Sequence, residues 1–190
     1  MLGVPSGGVP VGSVVAEEIH VPFDVIVVRK IQIPWNTEAG FGAVTEDGDV
    51  ILNEPLIEQL GLTKLSVDKA TAETKRVVEE RLKKFRGERP PFSLHDKIVL
   101  LVDDGLASGY TMLVAVRSIR RKKPREIVIA VPTASEGAVK LLAHEADRIV
   151  CLNIRGGSVF AVADAYIKWY DLSDEEVKRY LSEFSGVKSN

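Results

Sequence analysis

The sequence predicts an α/β fold with a mostly parallel central sheet, flanking helices and a small hood. Three apolar runs in the second half of the chain support this, at residues 97–102, 127–131 and 148–154. Segments with helical periodicity separate these runs, near 110–121 and near 135–145. Strands that alternate with helices at this spacing are joined by right-handed crossovers, so the three runs are expected to pair in parallel.

The first half of the chain supplies two further candidate strands. A short apolar segment leads into a turn at Gly7 and Gly8, and residues 11–19 can form a helix. The continuous apolar run at 23–28 suits a strand that is covered on both faces. We therefore expect both strands to belong to the central sheet.

Residues 31–53 are expected to leave the core. An Asp-Gly pair at 47–48 stands between β-prone runs, which indicates a hairpin. Helices are predicted to follow at 55–60 and 67–85, the second with apolar side chains on one side and charged ones on the other. The excursion is a candidate for the hood.

The tail is the second candidate hood segment, and it contains one clear helix start. Ser173 can cap the helix, with Glu176 three positions on. The 190 residues contain no repeat or linker, so we expect a single domain over residues 1–190.

Composition and charge exclude several classes of partner. The formal net charge of −2 gives no global attraction to nucleic acid, and no apolar stretch reaches the ~18 residues needed to span a membrane. Neither is an expected partner.

The lone Cys151 cannot form an intramolecular disulfide, and the first twenty residues lack the pattern of a signal peptide. A reducing, cytoplasmic setting is the expectation.

Residues 98–112 carry the strongest functional signal. Asp103 and Asp104 follow a buried strand, and open parallel sheets bind ligands at the carboxyl ends of their strands. Residues 105–111 then supply glycines, hydroxyl groups and the start of a helix, which together can hold a phosphate. Neighbouring carboxylates repel a second phosphate but accept hydrogen bonds from a vicinal diol. The pattern predicts a site for a phosphorylated sugar.

This strand, acidic pair and turn resemble the signature of the type I phosphoribosyltransferases. The segments SGGVPVG, DVIVVRK, GFGAVTEDG and SDEEV are similar to a subgroup of predicted phosphoribosyltransferases whose acceptor is unsettled. The resemblance implies that Asp103 and Asp104 are catalytic residues contacting the ribose hydroxyls. It implies a 5′-phosphate site at Gly105, Leu106, Ala107, Ser108, Gly109, Tyr110 and Thr111. It implies a pyrophosphate site at Ser6, Gly7, Gly8, Arg29 and Lys30.

The resemblance also implies a reaction, a cofactor and partners. A nitrogenous, nucleobase-like acceptor would displace pyrophosphate from the ribose of 5-phosphoribosyl 1-pyrophosphate, as in nucleotide salvage. Mg²⁺ would be bound mainly through the substrate, since the sequence shows no set of ligands for an all-protein metal site. The expected partners are the phosphoribosyl donor, a small nitrogenous acceptor and a second copy of the chain in a homodimer.

Other interpretations stay open at this point. Ser6 stands where the subgroup often has arginine, which favours a regulatory protein that binds the donor without transfer. The acidic pair could also be the solvated strand end of another doubly wound protein. The basic run at 120–125 is expected only to solvate a helix end. The aromatic residues that could stack on a planar acceptor are Trp35, Phe41, Tyr166, Trp169 and Tyr170.

Overall fold

The structure of the chain, a computed structural model, describes residues 1–157 and 160–185, with the backbone alone at residues 37, 38 and 185. The strands, in chain order, are β1 (Leu2–Gly3), β2 (Asp24–Val25), β3 (Arg29–Ile33), β4 (Asn36–Val44), β5 (Val50–Leu52), β6 (Ile98–Val102), β7 (Glu126–Ser135) and β8 (Arg148–Arg155). The helices are α1 (Gly8–Glu18), α2 (Glu54–Gln59), α3 (Lys64–Phe85), α4 (Tyr110–Arg121), α5 (Glu136–Leu142) and α6 (Asp174–Ser185), with a short 3-10 helix at Val162–Ala165. Within these residues no helix combines the length and the apolar character that crossing a membrane requires.

The central sheet is parallel, as the alternation of strands and helices predicted. Its order is β2-β1-β6-β7-β8. In the ladder between β1 and β6, Gly3 pairs with Val102, and the N–H of Val4 donates to the carbonyl of Val102 at 2.9 Å. The short first strand therefore lies inside the sheet, between β2 and β6. This register brings the carboxyl ends of β1 and β6 side by side.

Apolar side chains cover the central sheet on both faces. One cluster packs α4 and α5 against β6 and β7, with Leu101, Met112 and Ile129 fully buried or nearly so. The other cluster includes Val25 of β2 and Val78 of α3. Burial on both faces explains why these strands read as continuous apolar runs in the sequence.

Residues 31–53 contribute to a second, antiparallel sheet in the order β3-β4-β5. The predicted hairpin turn is confirmed, because the N–H of Gly48 donates to the carbonyl of Thr45 at 3.0 Å. The segment is more tightly packed than the expected excursion suggested. Ile31, Phe41 and Val44 are fully buried in the same cluster as Val78 of α3, so the Phe41 ring cannot stack on an acceptor.

A buried ion-pair network fastens the hairpin to the central sheet. The Arg86 guanidinium donates to Asp24 at 2.8 Å and to Glu46 at 3.0 Å. These side chains are only 9%, 4% and 7% exposed. Lys122, at the end of α4, adds a contact of 3.2 Å to Glu46. The hairpin turn, the edge strand β2 and the helices α3 and α4 are thus tied at one point.

Several element boundaries differ from the sequence predictions, and two of the differences fall within the first 28 residues. Helix α1 begins at Gly8, three residues earlier than expected, since Pro10 fits the first turn of a helix. The expected strand at 23–28 is reduced to β2, although Phe23 and its neighbours up to Val28 are buried. Its apolar run reflects burial more than strand pairing. The helix start at Ser173 is confirmed: the Glu176 carboxylate accepts from the N–H of Ser173 at 2.9 Å.

Candidate functional site

The acidic pair lies at the carboxyl end of β6, where the sequence predicted it. The Asp103 carboxylate accepts a hydrogen bond from the N–H of Asp104 at 2.9 Å. Burial and the neighbouring Asp104 carboxylate raise the pKa of Asp103 well above its ordinary value. Burial also raises the pKa of Asp104. Two carboxyl groups held together in a partly buried place are poised to receive hydrogen-bond donors or a cation.

The glycine turn at residues 6–8 packs directly against this pair. A Cβ on Gly7 would stand 1.7 Å from Oδ2 of Asp104, and one on Gly8 would stand 2.4 Å from the carbonyl oxygen of Val102. The Pro5–Ser6 peptide bond is cis. The structure therefore brings the predicted pyrophosphate turn and the predicted ribose-binding acids into contact, and only glycine allows so close an approach.

The loop that follows the acids is held in place by β7 and the start of α5. Leu106 is bound on both sides, because its N–H donates to Thr133 at 3.0 Å and its carbonyl accepts from Ser135 at 2.9 Å. The Ser135 hydroxyl donates to the carbonyl of Ala107 at 2.6 Å. Gly109 has a φ of +78°, in the left-handed region that favours glycine. These contacts fix the backbone between the acids and α4.

The loop leads into the N-terminus of α4, which is open toward solvent. Gly109 is the N-cap residue, and no side chain within the described part of the chain caps this helix. Ser108 and Thr111 are exposed, and so is Tyr110, at 62%. The N–H groups of a first helical turn have no partner within the helix. The predicted phosphate loop thus combines a fixed backbone, a helix start that no described side chain caps, and three exposed residues with hydroxyl groups.

Tyr166, from the tail, reaches over the acidic pair. Its hydroxyl donates to the backbone carbonyl of Asp104 at 2.7 Å. Burial and the negative charges of Asp104 and Asp103 raise the pKa of Tyr166 to about 12. Its ring lies 5.2 Å from that of Trp169, centroid to centroid. Stacking by the Tyr166 ring stays a prediction, and the structure adds the hydrogen bond from its hydroxyl to the backbone of Asp104.

Arg29 and Lys30 lie at the start of β3. They line a cavity of about 730 Å³ between the antiparallel sheet and α4. Ser108, Tyr110 and Thr111 line the same cavity, but residues 6–8 do not. The structure therefore places these two cations beside the predicted phosphate loop. A further cation, from another element, contacts the predicted pyrophosphate turn.

That cation is Arg81, near the C-terminal end of α3. Its Nη2 donates to the Ser6 hydroxyl at 3.1 Å. Sequence reasoning missed it, because the charged residues of α3 were assigned to the solvent face. A signal was present, however: Arg81 stands three residues after Val78 and four before Phe85, and both of these are buried. This spacing places Arg81 on the inner face of the helix.

The described residues hold no group of three or more histidine, cysteine, aspartate or glutamate side chains that could bind a metal ion. The acidic pair alone could contribute two carboxylates to a cation. Any divalent ion at this place would need most of its ligands from a bound substrate or from water.

Comparison with known proteins agrees with the geometry. A family model described as "Phosphoribosyl transferase domain" matches residues 1–167. Two strains of Mycobacterium tuberculosis, CDC 1551 / Oshkosh and H37Rv, contain relatives named "Putative phosphoribosyl transferase MT0597" and "Putative phosphoribosyl transferase Rv0571c". Each is 37% identical over 183 residues, which are 95% of this chain. The chain spans 41% of the length of these relatives.

A solved structure shares the fold along nearly the whole chain. The crystal structure of TT1426 from Thermus thermophilus is 34% identical in sequence, with a TM-score of 0.80. The match covers 97% of this chain and 87% of that one.

Proposed function

Because the chain belongs to the phosphoribosyl transferase domain family, we propose that it binds 5-phosphoribosyl 1-pyrophosphate with Mg²⁺ and transfers the phosphoribosyl group to a nitrogenous acceptor. The contact between the glycine turn and the acidic pair carries this proposal. A ribose with a phosphate at one end and a diphosphate at the other needs a phosphate loop, a diol acceptor and an anion turn side by side. Residues 105–111, Asp103 with Asp104, and residues 6–8 offer these three parts in that order.

The 5′-phosphate is proposed to bind at residues 105–111. The first turn of α4 offers N–H groups and the positive end of the helix dipole, worth about 0.3–1 kcal/mol. Hydrogen bonds to a charged phosphate add about 1.5–3 kcal/mol each. A few such bonds, with the exposed Ser108 and Thr111 hydroxyls, suffice to hold a dianion without a lysine.

Asp103 and Asp104 are proposed to accept hydrogen bonds from the ribose 2′ and 3′ hydroxyls. Their raised pKa values reflect the cost of two carboxylates in a partly buried place, and hydroxyl donors or a cation reduce this cost. That arrangement fits Mg²⁺ held mainly by oxygens of the donor. When bound, Mg²⁺ supplies positive charge against the leaving pyrophosphate.

In the proposed reaction the acceptor nitrogen forms a bond to C1 of the ribose as the bond from C1 to the pyrophosphate oxygen breaks. Pyrophosphate leaves with the electron pair, and the nitrogen loses its proton to solvent. The protein needs no nucleophile of its own, so positioning and electrostatics account for the catalysis. The hydrogen bond from Tyr166 to Asp104 supports the tail as one wall of the site.

Calorimetric titration of 5-phosphoribosyl 1-pyrophosphate with Mg²⁺ tests the donor site. We expect binding to wild type and loss of more than about 100-fold in affinity for Asp103→Asn/Asp104→Asn, since several charged hydrogen bonds are removed. Glu17→Gln/Glu18→Gln, an exposed acidic pair, makes the same change of charge as a control. Equal binding by wild type and the first variant would contradict the proposed donor site.

A pyrophosphate-release screen across nucleobases then separates a transferase from a regulator. Release with one acceptor identifies a transferase, whereas donor binding without any release favours the regulatory alternative.

The homodimer stays a prediction, and light scattering that shows a monomer at micromolar concentration would exclude it.

A further inference from the structure

The glycine turn at residues 6–8 has no positive charge of its own. The sequence contains no lysine or arginine before Arg29. The turn also lies against the Asp104 carboxylate, with Gly7 in direct contact. A diphosphate at this turn would meet negative charge at short range, which repels it. A cation from another element of the protein would offset that repulsion together with Mg²⁺.

Arg81 of α3 is in the position to do this. Its Nη2 donates to the Ser6 hydroxyl at 3.1 Å, across 75 positions of the sequence. The guanidinium carbon lies 5.4 Å from the centre of the Phe85 ring, one helical turn further along. The side chain is 23% exposed, so part of it reaches solvent. The guanidinium is therefore held at the turn by a side chain that is partly exposed to solvent.

The charge of Arg81 is only loosely paired with a carboxylate. Asp174, at the start of α6, lies 3.5 Å from Arg81 but 2.8 Å from Lys84. The hydrogen bond from Lys84, more than the charge of Arg81, lowers the pKa of Asp174. Two cations thus share this carboxylate, and the shorter contact belongs to Lys84. Positive charge remains beside Ser6.

The guanidinium also keeps donors for a ligand. Among the described residues, both hydrogen bonds of Arg81 run through Nη2, to Ser6 and to Asp174. Guanidinium groups carry five N–H donors in a planar fork that matches phosphate oxygens. The Nε and Nη1 donors can serve a diphosphate while Nη2 stays on the turn.

We propose that Arg81 binds the pyrophosphate of the donor and supplies the positive charge that the turn at residues 6–8 lacks. This inference rests on the proposed donor and names the cation that recognises its diphosphate end. The Ser6 hydroxyl holds the guanidinium in place before the ligand arrives, so the binding geometry is prepared in advance.

Calorimetric titrations with three ligands test the inference, each in the presence of Mg²⁺: 5-phosphoribosyl 1-pyrophosphate, inorganic pyrophosphate and ribose 5-phosphate. We expect Arg81→Gln to lower the binding affinity for the first two ligands by about 10- to 100-fold, the effect of losing one or two charge-assisted hydrogen bonds. Ribose 5-phosphate lacks the diphosphate, so Arg81→Gln should bind it with an affinity within about twofold of that of wild type. A loss for all three ligands would indicate a structural role and overturn the inference.

Two further variants serve as a matched control and as a rescue. Arg76→Gln removes the same charge from the same helix at an exposed residue that pairs with Glu73 and Glu80, and it should leave all three affinities unchanged. Adding Ser6→Arg to Arg81→Gln places a guanidinium on the turn itself, and it should restore binding of the two diphosphate ligands. Failure of this rescue in a folded double variant would count against the inference.

The outcomes for wild type separate this inference from the proposed function. If wild type binds the donor and Arg81→Gln binds it equally well, only the role of Arg81 is overturned. If wild type does not bind the donor at all, the proposed function and the role of Arg81 both fail.

Discussion

A single methyl group at Gly7 tests whether the glycine turn and the acidic pair form one site. A Cβ there would stand 1.7 Å from Oδ2 and 2.3 Å from Cγ of Asp104, whereas real Cβ contacts essentially never fall below 3.0 Å. The carboxylate must therefore retreat by at least 1.3 Å, the difference between 3.0 and 1.7 Å. Gly7 has a φ of −64° and a ψ of −31°, so its backbone conformation suits alanine. Only the lack of space opposes the substitution.

We expect Gly7→Ala to weaken donor binding and to leave the stability of the fold nearly unchanged. Asp104 is only partly buried, so its side chain can rotate toward solvent to make room. The free energy of unfolding should then change by less than about 1 kcal/mol, as is usual for glycine to alanine at a compatible conformation. A catalytic group displaced by about 1 Å commonly costs about 100-fold. For donor binding this corresponds to about 2.8 kcal/mol.

The assay is calorimetric titration of 5-phosphoribosyl 1-pyrophosphate with Mg²⁺ into wild type and Gly7→Ala, with urea unfolding of both. Gly137→Ala is the matched control, because a Cβ at Gly137 would meet no atom closer than the Ser135 hydroxyl at 3.9 Å. Donor affinity of Gly7→Ala within about threefold of wild type would refute the reasoning, since the turn and Asp104 could then separate without loss.

Two further predictions concern stability. Arg86→Met should lower the free energy of unfolding by about 3–5 kcal/mol, because it removes the cation that the buried Asp24 and Glu46 share, although Lys122 stays 3.2 Å from Glu46. Arg76→Met at an exposed pair should cost at most about 1 kcal/mol, and equal losses in urea unfolding would disprove the role of burial. Because the folded-state pKa of Asp103 lies above its ordinary value of 3.8, its ionisation destabilises the fold as the pH rises through that raised pKa. Asp103→Asn should therefore have a higher free energy of unfolding than wild type at pH 8. This difference, measured by urea unfolding, should disappear as the pH falls toward 3.8. A difference that does not change with pH would contradict the prediction.

The sequence predicted best where neighbours in the chain are also neighbours in space. The strand, the acidic pair, the loop and α4 follow one another without interruption, so the periodicity and the glycine positions were enough to predict them. The hairpin at Gly48 and the helix start at Ser173 are local features of the same kind. The hairpin turn and the helix start both depend on hydrogen bonds within a few residues, which a sequence pattern specifies directly.

Prediction was weaker where one apolar run has more than one explanation. Residues 23–28 are buried as expected, but the strand within them is limited to Asp24–Val25. Phe41 was a candidate for stacking, yet it fills the core beneath the antiparallel sheet. Hydrophobicity indicates that a residue is buried, but the partner that buries it depends on how the elements pack.

By itself the sequence determined the α/β fold, the acidic pair at a strand end and the glycine-containing loop that follows it, because these follow from local periodicity and turn chemistry. Only the tertiary structure decided which distant groups complete the site. It brings Arg81 to Ser6 across 75 positions and Tyr166 to Asp104 across 62 positions. Such contacts arise from the packing of α3 and the tail against the sheet, and a linear pattern does not contain that geometry.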